Sequence, residues 1–123
     1  MRNIASTLFA LGLLLPGAAW SQTTSSVLPV LTGAYAPAKG GCDAAAAAFI
    51  YVEDNAIGAN KTAGKVLSVK RDGGSYVLEI LWIEAGSDES DGDRDTVRIE
   101  VKDDRSFYFS NTASKKTLMQ WCS

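Results

Sequence analysis

TVRIEVK, Thr96 to Lys102, alternates without a break: Val97, Ile99 and Val101 fall on one side, and Thr96, Arg98, Glu100 and Lys102 on the other. A helix would space its apolar residues three and four apart. A period of two belongs to a strand with one buried and one wet face. The same period recurs on both sides of this stretch. Ser106 to Ser110 sets Phe107 and Phe109 against Ser106, Tyr108 and Ser110. Val66 to Lys70 repeats the pattern and predicts Leu67 and Val69 inward. Tyr76 to Glu84 (YVLEILWIE) lines one face with Tyr76, Leu78, Ile80 and Trp82. Val77, Leu81 and Ile83 make its other face apolar too, as in a central, covered strand or an interface.

Turn chemistry separates these runs. Asp72-Gly73-Gly74-Ser75 reads as a hairpin loop, Asp103-Asp104-Arg105 links the next pair, and Asp54-Asn55 follows a strand over Phe49 to Val52. Thr117 to Cys122 forms the last strand, and Asp43 is placed to cap a short helical turn over Ala44 to Ala48. Seven or eight short strands with tight turns predict an all-β chain: a small antiparallel up-and-down barrel, with a two-sheet sandwich as the alternative. No internal repeat is present.

Before these strands the chain changes character. Arg2 and the apolar run Ile4 to Leu15 read as a secretory signal, ended by Pro16-Gly17, with small residues allowing cleavage after Ala19 or Ser21. The run is too short to span a bilayer, and no later segment is long enough. The organisation read here is a signal peptide over 1–21, a flexible Ser/Thr-rich arm over 22–32 and one domain over 33–123. Alanine- and glycine-rich composition fits a bacterial source, hence a periplasmic or secreted product.

In that oxidising compartment the two cysteines, Cys42 and Cys122, are expected to pair. The closed loop of about 80 residues would contribute on the order of 4–5 kcal/mol in the chain-entropy model. No Cys-x-x-Cys spacing supports a redox pair.

The charge and residue inventory excludes much chemistry. Without Arg2, eleven basic side chains face fourteen carboxylates, a net charge of −3 that disfavours nucleic acid or anionic lipid as partner. The chain has no histidine, which removes histidine-based triads and histidine metal ligands. No phosphate-cradling glycine loop is present, and Gly40-Gly41 and Gly73-Gly74 fit turns. Carboxylates in turns stay hydrated, whereas a catalytic acid needs a desolvated site. The expectation is a non-enzyme with no cofactor and no catalytic residue.

What stands out chemically is EAGSDESDGDRD, Glu84 to Asp95, with six carboxylates and one base in twelve residues. An EF-hand register with Gly92 at position 6 puts Arg98, a cation, where the bidentate glutamate belongs. No metal site is therefore assigned. Two readings remain: a wet hairpin loop over Gly86 to Gly92, or an acidic surface that steers toward a basic partner. On the second, Asp88, Glu89, Asp91, Asp93 and Asp95 are the contact residues, with Tyr108 added because it alternates outward between Phe107 and Phe109.

A signal peptide, a barrel of about 100 residues and one disulfide together resemble small periplasmic lysozyme inhibitors of proteobacteria. Gly33-Ala34-Tyr35 is similar to the Gly-x-Trp entry of lipocalin-like barrels. The lysozyme-inhibitor family inserts a Ser-Gly-x-x-Tyr loop into the enzyme, and this chain lacks it, so no functional residue carries over. The expected function is an exported binding protein of the bacterial envelope, an inhibitor of a basic enzyme of the envelope or host such as lysozyme. The alternatives are a carrier of lipophilic molecules, with its lumen near Tyr76, Leu78 and Trp82, and a structural envelope protein.

Overall fold

A computed structural model describes residues 23–45 and 48–122; the signal reading over 1–21 lies outside them. Eight strands form a closed antiparallel barrel: β1 (Gly33–Pro37), β2 (Ile50–Val52), β3 (Ala56–Ala59), β4 (Thr62–Asp72), β5 (Ser75–Glu84), β6 (Asp93–Asp103), β7 (Ser106–Ser110) and β8 (Thr117–Trp121). Each strand pairs with the next, and β8 returns to β1 through Tyr35 opposite Trp121 and Pro37 opposite Met119. Closure leaves no sheet face to be covered by a second layer, so the barrel is realised and not the sandwich.

The period of two decides which side chains fill it. Val97 and Ile99 of β6, Leu78 and Ile80 of β5, and Phe107 of β7 are fully buried. The outer row of β5, Val77, Leu81 and Ile83, is half-buried. Phe107 meets the Tyr35 ring at 4.7 Å between centroids.

Three expectations are corrected. Leu67 and Val69 are 39% and 40% exposed. The register slips between Val66 and Ser68 opposite β5, so Leu67 is the extra residue of a bulge, which re-aims the strand. Val66 packs on the core instead. Beyond Lys65, β4 has left β3, whose pairing ends at Ala56, and from Leu67 onward its side chains stand in solvent. Leu67→Ala is therefore expected to shift stability by less than about 0.5 kcal/mol. Leu78→Ala, at a fully buried site, should cost about 2–5 kcal/mol, read by urea unfolding.

The second correction concerns the arm. The segment over 22–32, from Thr23 where it is described, is packed: Leu28, Val30 and Leu31 are buried and the first two belong to the core cluster. Ser26 N donates to Asp54 O at 2.7 Å, and Leu31 N to Asp104 O at 2.9 Å. These bonds hold the segment across the β2–β3 and β6–β7 turns as a plug in one end of the barrel.

Tyr35 joins plug to barrel. Its hydroxyl donates to Leu31 O at 2.7 Å. Burial, with Asp104 and Asp103 adding negative charge, pushes its pKa up to about 12 from 10.0. The folded state thus holds this proton more tightly than the unfolded chain. That stabilisation is complete below about pH 10 and is lost as pH rises toward 12. A tyrosinate absorbance titration should show a last step near pH 12 or coincident with unfolding, absent in Tyr35→Phe.

The expected pairing of Cys42 and Cys122 is present, with Cα atoms 5.8 Å apart. Ala48 N donates to Ala45 O at 2.9 Å, a short turn inside the expected alanine stretch, but Asp43 does not cap it. Gly41–Asp43 is itself a 3-10 turn and Ala44 is extended, so Asp43 ends the turn instead of starting one. Ala46 and Ala47 of that stretch lie outside the described residues.

Candidate functional site

The plug closes the end of the barrel at the β2–β3, β4–β5 and β6–β7 turns. The other end carries the β1–β2 connection, the β3–β4 turn, the β5–β6 loop and the β7–β8 loop, and it is open. A cavity of about 520 Å³ lies there, with Phe49, Ile50, Ala59, Trp82, Phe109 and Met119 as its apolar lining. Thr62, Asn111, Ser114 and Thr117 add neutral polar groups, and Glu84 and Asp93 add carboxylates. Among the described residues, no lysine or arginine lines it.

Strand parity explains this lining. The inward row of β5 runs Leu78, Ile80, Trp82 and then Glu84; that of β6 runs Ile99, Val97, Asp95 and then Asp93. Trp82 lies opposite Asp93 and Ile80 opposite Asp95. The same alternation brings Phe109 from β7, Asn111 just after that strand, and Thr117 and Met119 from β8 to the mouth.

Trp82 is held from two sides. Its Nε1–H donates to Asp95 Oδ2 at 3.0 Å. Below it Gly64 leaves the space its ring needs, because a Cβ there would stand 2.8 Å from the indole and against Ile57 O. Asp95 also accepts from Asn111 Nδ2 at 2.9 Å and Thr112 Oγ1 at 3.1 Å. Burial pushes the Asp95 pKa up, but its hydrogen bonds from Trp82, Asn111, Thr112 and the Thr96 N–H outweigh that and hold it below the ordinary value. The carboxylate therefore stays ionised and ties three strands and loops of the mouth together.

The six residues read as one contact surface are thus divided among three places. Asp88, Glu89 and Asp91 sit exposed at the tip of the β5–β6 loop, where Glu89–Asp91 form a 3-10 turn. Asp88 caps that turn, accepting from Ser90 N at 3.2 Å and Ser90 Oγ at 2.6 Å, and the Ser90 bonds hold its pKa low. Glu89 is bridged to Lys65 at 3.0 Å. Asp93 lines the cavity, and Asp95 is bound into its wall. Tyr108 does face outward, but half-buried beside Arg98, Glu100 and Lys116, with the Lys116 ammonium 4.9 Å from its ring centroid. None of the acidic-run residues lines that cleft.

The lumen residues divide likewise. Trp82 lines the cavity, while Leu78 is sealed in the core and Tyr76 lies under the Arg71 guanidinium at 4.6 Å. Phe49, Phe109 and Met119 went unread as site residues. Extending each inward row past its last apolar member finds Glu84 and Asn111 and assigns Asp93 to the cavity.

No family model, curated protein or solved structure matches this chain.

Proposed function

We propose that this chain is an exported, non-catalytic binding protein of the bacterial envelope that carries a small lipophilic molecule in the mouth of its barrel. The observation that carries this reading is the cavity: about 520 Å³, aromatic and aliphatic inside, opposite a plugged end. Small-ligand sites have this size and make-up, and barrel mouths are among their usual places. The signal reading and the disulfide support an oxidising compartment. Nile red, an uncharged lipophilic dye, should brighten on the purified protein and saturate at one site. Ala59→Phe, which puts a ring into the mouth, should abolish the response. A linear, unsaturable response in the unchanged protein would sink the carrier reading.

A second reading keeps the loop tip as a contact for a basic enzyme such as lysozyme. It draws on Asp88, Glu89 and Asp91, exposed on a turn stiffened by its own cap. Here Asp88→Asn, Glu89→Gln and Asp91→Asn together should slow association and flatten its salt dependence. Unchanged association with lysozyme, measured across a salt series, removes the loop from the interface.

A further inference from the structure

We infer that the molecule held in the barrel mouth is an organic cation, an ammonium-bearing compound with an apolar body. This rests on the carrier reading above and adds the sign of the charge. Three observations lead to it. First, the charged groups lining the cavity are of one sign: Glu84 at the end of β5 and Asp93 at the start of β6, each on the inward row. Second, Asp95 adds an ionised carboxylate in the wall behind Trp82, and its oxygens are already occupied by Trp82, Asn111 and Thr112. It contributes field without competing for the ligand. Third, the body of the ligand would rest among Phe49, Trp82 and Phe109. Aromatic faces attract cations through their quadrupole, and rings combined with carboxylates are how proteins recognise alkylammonium groups.

The converse ligand fits badly. A fatty acid would bring its carboxylate to a rim that already holds two, where, among the described residues, Thr62, Asn111, Ser114 and Thr117 are the neutral polar side chains on offer. Like charges brought together at an interface reject the wrong partner. The plain alternative is that Glu84 and Asp93 only keep the rim wet. It predicts a preference for an uncharged ligand over both ions.

Decylammonium, decanol and decanoate share one body and differ in charge. Isothermal calorimetry at pH 7 and low salt, with each probe below its aggregation concentration, compares them on the purified protein. Decylammonium should bind about five- to tenfold more tightly than decanol, the scale of two exposed ion pairs, with decanoate the weakest. Raising the salt should shrink the gap. Glu84→Gln with Asp93→Asn should bring the ammonium-to-alcohol ratio near one; both residues are exposed, and circular dichroism checks that the variant is folded. If decanol or decanoate binds as tightly as decylammonium, the charge assignment is overturned and the carrier reading stands. If none of the three binds, both fall.

Discussion

Removing the Cys42–Cys122 bridge, as Cys42→Ala with Cys122→Ala, is expected to lower stability by about 2–5 kcal/mol. For a domain of this size that is roughly 10–20 °C in the thermal midpoint. The bond spans a sequence separation of 80, so nearly the whole barrel lies inside the loop it closes. Reduction frees the unfolded chain far more than the folded one, and this is the main source of the loss. Position adds to it. Cys42 sits in the turn after β1 and Cys122 directly after β8, the two strands whose pairing closes the barrel. The 3-10 turn at Gly41–Asp43 buries none of its residues, so apolar packing contributes little to holding it there. Cys42 is exposed and Cys122 half-buried, so dithiothreitol should reach the bond in the native state. Denaturant unfolding of oxidised and double-alanine protein is the measurement. The native far-ultraviolet spectrum should be retained at 25 °C while the midpoint falls. A shift below about 1 kcal/mol would mean that the unfolded chain stays compact without the bridge.

The barrel was legible because its strongest signal is local. Thr96 to Lys102 carries its own period, and Gly73 at φ 63 supplies the left-handed backbone of the two-residue β4–β5 turn. The failures share a physical cause, which is that burial is decided across the sheet and not along the chain. The bulge at Leu67 depends on the partner strand, since nothing in KVLSVK marks where the register slips. By charge alone the acidic run reads as one contact surface, but strand parity divides it. In fact β6 begins at Asp93, inside that run, because pairing of Trp82 with Asp93 continues the ladder past the last apolar residue. Of six carboxylates in one stretch, two therefore line a cavity, one is bound into its wall and three stand in solvent. The mouth itself is assembled from all eight strands and two connections, and no segment alone contains enough of it to be seen.

The arm is the other place where sequence and structure part, and it carries the largest expected effect. A chain beginning at Gly33 should lose its cooperative unfolding transition altogether. Leu28, Val30 and Leu31 are 2%, 0% and 7% exposed, and they fill the end of the barrel that the short turns cannot close. Truncation also strips two buried-side hydrogen bonds of their acceptors: Leu31 O for the Tyr35 hydroxyl and Thr32 O for the Trp121 Nε1–H, at 2.7 and 3.0 Å. Each donor left unpaired costs about 1–3 kcal/mol, against a total stability of about 5–15 kcal/mol for a natural domain. Since truncation can fail for trivial reasons, Leu28→Ala is the graded form of the same experiment. It should cost about 2–5 kcal/mol, where a dangling arm would show no change. The two ends of the barrel also make separable predictions. Leu28→Ala should lower the denaturation midpoint and leave Nile red affinity intact at temperatures where the protein is folded, because the plug does not line the mouth. Ala59→Phe should do the reverse, removing dye binding with little change in midpoint. Loss of dye binding in Leu28→Ala while folded would mean that plug and mouth are coupled through the shared core of Leu78, Ile80 and Phe107. In that case the lumen would extend deeper than the ring of Trp82.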